Sequence, residues 1–191
     1  TALAYKYFTG DGVTQSKAEA ARLFKLAADQ GYANAQYSLG VLYDKGEGVS
    51  QNKAEAARLY KLAADQGDAN AQYNLGVLYN KGEGVPQKKA EAARLYKLAA
   101  DQGYAYAQTY LGILYDTGEG VSQNKAEAAR LFKLAADQGF AIAQYNLAQY
   151  YRTGTGGLAV DRAKAIALYR KAAAQGDQFA VVRLKDMGET P

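Results

Sequence analysis

Apolar residues recur at helical spacing along this chain, and the same pattern returns every 36 residues. In one copy, Ala71, Leu75 and Leu78 are four and three residues apart, which places them on one stripe of a helix. A second apolar stripe follows between Ala92 and Ala99. The pattern predicts two amphipathic helices in each copy. Gln-Gly pairs separate the copies and end at Gly31, Gly67, Gly103 and Gly139.

Glycines and capping residues mark the ends of these helices. The run Gly82-Glu83-Gly84 stops a first helix, because glycine adopts the left-handed conformation that commonly follows a helix end. Three of the second helices follow a Ser or Asn with Glu three residues later, the pattern of a capping box, while Lys88 breaks the pattern in one copy and Asp161 can serve as the cap in the last. Such pairs begin at Ser16, Asn52 and Asn124. Each copy is therefore predicted to fold as a helix, a loop, an antiparallel helix and a tight turn.

A fixed period of this length predicts an all-α solenoid, since one helix pair cannot bury its own apolar face and must share a core with its neighbours. We expect a single domain over residues 1–191 with about eleven helices. Its units are a truncated one at 1–31, complete ones at 32–67, 68–103 and 104–139, a divergent one at 140–176 and a closing helix in 177–191.

The recurring positions resemble the tetratricopeptide pattern, L-G-x-x-Y followed by A-x-x-x-aromatic-x-x-A. One copy matches at Leu75, Gly76, Tyr79, Ala92, Tyr96 and Ala99. Tetratricopeptide units have about 34 residues, and the longer G-x-G-V loop of this chain is similar to that of the Sel1-like repeat family. The resemblance covers essentially the whole chain. It implies a right-handed α/α superhelix in which the first helix of each unit lines a concave surface.

Composition narrows the chemistry. The net charge is only +4, from 23 basic and 19 acidic residues, and acids lie three or four residues from bases on the predicted helices. We therefore expect no nucleic-acid partner. Cysteine and histidine are both absent, which removes disulfides and the commonest metal ligand and general base, so we expect no metal and no cofactor. No apolar run approaches the roughly 18 residues of a membrane span.

The start of the chain says little about its compartment. Thr1 aligns with Tyr37, inside a repeat, and is not a methionine. We expect this start to be a boundary or processing point, with any targeting segment upstream of it. Cytoplasm, periplasm and exterior all stay open.

The residues that packing does not need lie on the first helix of each unit, at −5, −2, +2 and +5 from the repeated leucine. We call these positions the first-helix stripe. In chain order they are Asn34, Tyr37, Val41 and Asp44; Asn70, Tyr73, Val77 and Asn80; Tyr106, Thr109, Ile113 and Asp116; and Ile142, Tyr145, Gln149 and Arg152. Tyr5 and Phe8 continue the stripe into the truncated unit, and Asn74 and Tyr110 lie beside it.

Tyrosine and asparagine suit adaptable contacts with peptide. We therefore predict a non-catalytic adaptor that binds a protein or peptide and is monomeric, with end-to-end self-association as an alternative. The predicted anchors are Tyr37, Tyr73, Tyr106, Tyr110 and Tyr145, and the amides predicted to bond partner backbone are Asn34, Asn70, Asn74 and Asn80. An equally open alternative is that Tyr37, Tyr73 and Tyr145 only pack against neighbouring units.

Three sharper functions are disfavoured. Ser50 and Lys53 match S-x-x-K of penicillin-recognising enzymes, as do Ser122 and Lys125, but both pairs lie in a repeated capping loop. The glycine run near residue 154 lacks the spacing of a phosphate-binding loop. Reading of single-stranded RNA, one base per unit, would need a strongly basic surface.

Overall fold

A computed structural model describes residues 1–190, and that part of the chain is helical with no strand. Its eleven helices are α1 (Ala2–Thr9), α2 (Lys17–Ala28), α3 (Ala33–Lys45), α4 (Lys53–Asp65), α5 (Ala69–Lys81), α6 (Lys89–Asp101), α7 (Ala105–Thr117), α8 (Lys125–Asp137), α9 (Ala141–Thr153), α10 (Arg162–Ala174) and α11 (Gln178–Asp186). Odd-numbered helices up to α9 are the predicted first helices, and α11 is the closing helix. The all-α fold of 36-residue repeats is confirmed.

The chain forms two compact units, Thr1–Ala99 and a second that starts at Ala100, so the division falls within α6. We call these two parts the first and second unit, and we call the 36-residue units of the sequence repeats. The single domain, like the handedness of the superhelix, stays a prediction. The last residue of the predicted closing segment, 191, lies outside the described residues.

Helices α2, α4, α8 and α10 begin at side-chain caps, but only half of each predicted capping box forms. Asn52 accepts a hydrogen bond from the Glu55 amide at 3.0 Å, as predicted. The Asn52 amide instead donates to the Tyr43 carbonyl at 2.9 Å. The Glu55 carboxylate is therefore free to bind Arg58, one turn ahead, at 2.7 Å. This hydrogen bond holds the pKa of Glu55 below its usual value.

Close helix contact in the first unit explains the glycine of the repeat. A Cβ built on Gly76 would lie 2.7 Å from the Tyr96 ring, and one on Gly40 would lie 2.8 Å from Tyr60. Both rings are 1% exposed. The predicted close approach of the two helices is confirmed in these pairs.

The loops after α3 and α5 contact the start of the preceding second helix. Gly84 has a φ of +70°, and a Cβ there would lie 2.3 Å from the Lys53 carbonyl carbon. The Lys53 ammonium binds Glu83 of the same loop. Backbone contact and ion pair together join one helix pair to the next.

The second unit keeps this design with local changes. Ala148 replaces the glycine that faces the buried aromatic ring, here Tyr169. The loop is one residue longer, and Gly156 takes the close contact, 2.5 Å from the Lys125 carbonyl oxygen to a built Cβ. The closing helix α11 packs on α10 and buries Leu184 completely. The predicted closing helix therefore forms.

A network of glutamines at the turns was not predicted. Gln36 is 5% exposed and donates to the Ala28 carbonyl at 3.3 Å. Its Oε1 accepts from Gln66 at 2.7 Å. In the second unit, Gln138 donates to Gln108 in the same way at 2.9 Å. Each bond connects the end of a second helix to a first helix earlier in the chain.

The loop glycine predicts a large difference between two alanine variants. Gly67 has a φ of +92° with nothing near a built Cβ, so Gly67→Ala costs only the left-handed strain of about 1–2 kcal/mol. Gly84→Ala adds overlap with helix backbone, which costs a further ~1–3 kcal/mol. Thermal unfolding followed by circular dichroism should give a clearly lower midpoint for Gly84→Ala. Equal midpoints would contradict the proposed loop contact.

The glutamine network predicts a difference in stability between a second pair of alanine variants. Gln36→Ala leaves the Gln66 amide and the Ala28 carbonyl without this partner, at a cost of about 1–3 kcal/mol. Gln30 is exposed and donates only to Leu26 within its own helix, so Gln30→Ala should change stability by less than about 0.5 kcal/mol. Urea unfolding measures both, and similar losses would show that the network does not stabilise the fold.

Candidate functional site

The first-helix stripe is accessible at nearly every position. Among its members in the first unit, from Asn34 to Asn80, every side chain is exposed or half-buried. Tyr5 is exposed and Phe8 half-buried. In the second unit the same holds except at one position, Thr109. Tyr110, beside the stripe, is half-buried.

The stripe tyrosines of the first unit also pack. The Tyr37 ring lies 5.9 Å from that of Tyr60, and the Tyr73 ring lies 5.7 Å from that of Tyr96, measured between centroids. Each partner is the buried aromatic residue on the second helix of the same repeat. Each ring therefore covers its own helix pair, and Tyr37 also lies beside Asn74 of the next repeat.

Asn74 has an internal role that the sequence did not indicate. Burial raises the pKa of Tyr37 and that of Tyr60, and hydrogen bonding from Asn74 opposes the rise at both hydroxyls. Asn74 comes from the next first helix, α5, so its amide connects neighbouring repeats. This position was predicted to bond partner backbone. Its side chain instead lies beside two tyrosine hydroxyls of the preceding repeat.

The first unit has a cleft of about 260 Å3 that includes part of the stripe. Tyr5, Phe8 and Tyr37 line it with the buried Phe24 beneath. The Tyr5 hydroxyl hydrogen-bonds to Ser38 at 2.7 Å. The cleft offers an apolar floor with hydroxyl groups at its edge.

The acidic end of the stripe is near lysines in both units. Asp44 lies 3.8 Å from Lys53, and Asp116 lies 3.7 Å from Lys125. The Asn80 Oδ1 atom, at the same position as these carboxylates, is buried and has no hydrogen-bond partner within residues 1–190. Asn80 thus keeps an acceptor unused at this end.

Thr109 corrects the predicted stripe. It is fully buried and its hydroxyl donates to the Ala105 carbonyl at 2.9 Å, so it cannot contact a partner. In other repeats, a tyrosine at this position covers the buried aromatic ring. The short side chain of Thr109 does not cover the equivalent ring of Phe132. Tyr150 packs on that ring instead, at 5.6 Å edge to face, and its hydroxyl donates to Asp116 at 2.6 Å.

Tyr150 was not predicted as part of this contact, because the other repeats carry leucine at its position. Burial and the hydrogen bond to Asp116 both raise its pKa, so the hydroxyl stays protonated. Thr109 and Tyr150 both differ from the equivalent residues of other repeats, and together the two differences keep the core filled.

Aromatic side chains cluster where α7 and α9 begin. The rings of Tyr106 and Phe140 are 4.2 Å apart edge to face, and Tyr104 lies 5.6 Å from Tyr106. Tyr106, Phe140 and Ile142 line a cleft of about 300 Å3. Tyr106 and Ile142 are 46% and 42% exposed. Sequence reasoning missed Tyr104 and Phe140, because they precede the helices and were not on the stripe.

The stripe of the last helix pair carries a chain of polar contacts. Gln149 donates to the Tyr145 hydroxyl at 2.8 Å, and Arg152 donates through Nε to Gln149 at 2.9 Å. The Tyr145 ring lies 5.8 Å from Tyr169 and 6.1 Å from the exposed Phe179. Three predicted stripe residues are thus brought together as a connected surface.

The described residues offer little support for the sharper chemistry. Within residues 1–190, no group of acidic side chains could hold a metal ion. Ser50 lies in the loop before α4, and the lysine of its motif, Lys53, is paired with Glu83. None of the helices in this part of the chain has the length and apolar character that a membrane crossing requires.

Two solved structures are similar over nearly the whole chain. One is c5321, a protective antigen present in uropathogenic Escherichia coli strains, which displays an SLR fold. It is 36% identical over 96% of this chain, with a TM-score of 0.90. The other is a Sel1 repeat protein from Oxalobacter formigenes, 34% identical over 94% of this chain, with a TM-score of 0.88. This chain covers 39% of c5321 and 71% of the Oxalobacter protein.

A more distant structure is the immunity protein PA5088 from Pseudomonas aeruginosa, 27% identical, with a TM-score of 0.55. It is matched over 85% of this chain and 59% of its own. No curated relative matches the chain. The family pattern described as Sel1 repeat matches residues 1–32, 33–68, 69–104, 105–140 and 141–177. With five such repeats in tandem, the chain belongs to the Sel1 repeat family.

Proposed function

We propose that this chain is a non-catalytic adaptor whose first-helix stripe binds a segment of a partner protein. Sel1 repeat proteins are commonly protein-interaction scaffolds. The observation that carries the proposal is that the stripe side chains other than Thr109 stay accessible on helices whose other residues are packed in the core. Aromatic and amide groups therefore remain available on first helices in both units.

The tyrosines can support the fold and bind a partner at the same time. Tyr37 and Tyr73 pack on buried rings yet are only half-buried. A ring held in place by a neighbour loses little conformational freedom on binding, which lowers the entropic cost of contact. The packing of Tyr37 and Tyr73 therefore supports the proposal that they are binding anchors.

The two units present different chemistry for contact. In the first, Asn34 and Asn70 are exposed at the start of α3 and α5 and offer amides to peptide backbone. In the second, the corresponding residues are Tyr106 and Ile142, beside the cleft of about 300 Å3. Large exposed apolar side chains beside a cleft are typical interaction hot spots. We therefore assign the strongest single anchor to Tyr106.

Hydrolysis by a Ser-Lys pair gains no support from the geometry. A catalytic lysine would have to deprotonate the serine, and hydrogen bonding to Glu83 raises the pKa of Lys53, which keeps it charged. Ser50 is exposed in the loop before α4. The adaptor function needs neither residue.

A peptide selection tests the proposed surface. Random dodecapeptides displayed on phage would be selected on the intact chain, and the enriched peptides measured by fluorescence anisotropy. Tyr106→Ala should weaken binding at least about tenfold, equivalent to ~1.4 kcal/mol. Tyr32→Ala is the matched control, because Tyr32 is also an exposed tyrosine beside a first helix but lies off the stripe.

Circular dichroism would verify that both variants keep their helices. Unchanged affinity in a folded Tyr106→Ala variant, or an equal loss in Tyr32→Ala, would place the binding surface elsewhere. Failure of the intact chain to enrich any peptide sequence would argue against peptide binding itself.

A further inference from the structure

Arg152 differs from the other charged residues of the first-helix stripe. The same position carries Asp44, Asn80 and Asp116 in the preceding repeats. Arg152 is exposed, and its guanidinium donates through Nε to Gln149. Within residues 1–190 it forms no ion pair, whereas Asp44 and Asp116 both lie near a lysine. Most of its donors are therefore available.

A cavity of about 390 Å3 lies beside this guanidinium. Arg152 and Arg162 line it together with Asp186, and Val160 and Met187 complete the lining. The cavity thus combines two guanidinium groups with an apolar wall. Its elements are the end of α9, the loop before α10, the start of α10 and the end of α11.

The charges around the cavity do not balance. Arg162 and Arg170 share the carboxylate of Glu189, at 3.3 and 2.9 Å. Arg183 binds Asp186 at 3.2 Å, so the one carboxylate that lines the cavity already has a partner. Within residues 1–190, three arginines thus share two carboxylates, and the stripe arginine adds a fourth positive charge.

A buried hydroxyl lies near Arg152. Tyr169 is fully buried, and its hydroxyl has no hydrogen-bond partner within residues 1–190. Burial raises the pKa of Tyr169, and the hydrogen-bond donors and positive charge of the nearby Arg152 guanidinium partly offset that rise. The guanidinium therefore lies close to this hydroxyl.

We propose that the cavity beside Arg152 binds a carboxylate group of the partner, which makes this end of the stripe an acid-recognition subsite. The inference rests on the proposed function, because it names the chemistry that the stripe would select in a bound peptide. Arginine presents paired donors that match a carboxylate in a bidentate arrangement. The methylene groups of a glutamate side chain would lie against Val160 and Met187.

The position of the subsite makes it selective. Carboxylates at the equivalent positions of other repeats, such as Asp44 and Asp116, would repel an acidic group, while Arg152 attracts it. An acidic residue would therefore fix the register of a peptide along the stripe of the second unit. Rejection of wrong registers by like charge is a common source of specificity.

Side-chain NMR of the intact, 15N-labelled chain tests the subsite with small probes. The Arg152 Nε–Hε resonance is assigned by its loss in Arg152→Gln. Titration with N-acetyl-glutamate N-methylamide should shift it saturably, while the uncharged N-acetyl-glutamine N-methylamide should not. N-acetyl-alanine, with only a terminal carboxylate, distinguishes recognition of a chain end from recognition of an acidic side chain.

Variants separate the site from general charge effects. Arg152→Gln should weaken binding of the glutamate probe, followed through backbone amides around Met187, at least about fivefold. Arg22→Gln is the charge-matched control, because Arg22 is exposed and already paired with Glu19. Equal binding of glutamate and glutamine probes, or an unchanged affinity in Arg152→Gln, would overturn the proposal. Carboxylate binding here without any peptide binding would refute the adaptor function alone.

Discussion

One buried aromatic ring on each second helix organises its helix pair. These rings are Phe24, Tyr60, Tyr96, Phe132 and Tyr169, and each is 1% exposed or less. The first helix meets the ring with a residue that has little or no side chain, so the two backbones approach closely. Burial of a side chain of this size contributes about 1.5–3 kcal/mol. The rest of the repeat adapts to that contact.

The first-helix stripe follows from the same contact. Where a tyrosine of the stripe covers the ring, as Tyr37 and Tyr73 do, the surface residue is also part of the packing. Where the stripe residue is the small Thr109, the next repeat supplies Tyr150 and the threonine is lost from the surface. The candidate binding surface is therefore not a layer added to an independent core. Changes on the surface and in the core are coupled.

The helix pairs could be predicted from sequence because they depend on local spacing. Apolar periodicity, loop glycines and Asn or Ser caps each act within a few residues, and the helices begin and end close to where these signals place them. Only the Asn or Ser half of each capping box was predicted correctly. The carboxylate of Glu55 binds the guanidinium of Arg58, which is as close in sequence as the backbone amide it was predicted to bind. The glutamine network had a signal, a Gln such as Gln36 in every copy, but its bonds connect residues about 30 apart.

The site was harder to predict because neighbours decide it. A helical wheel places Thr109 on the surface and cannot show that Tyr150, from another repeat, covers the space above it. Asn74 was assigned to a partner although the hydroxyls of Tyr37 and Tyr60 lie beside it. The cavity beside Arg152 joins three segments separated in sequence. Contacts of this kind depend on tertiary packing, which residue spacing does not encode.

The most direct test of the central claim is to map a bound peptide on the 15N-labelled chain by backbone chemical-shift changes. The account predicts that the largest changes occur along the odd-numbered helices, around Asn70, Tyr106 and Ile142. The even-numbered helices carry the rival surface, with exposed leucines at residues 26, 62 and 134. Changes concentrated around those leucines, with the first-helix stripe unaffected, would contradict the account.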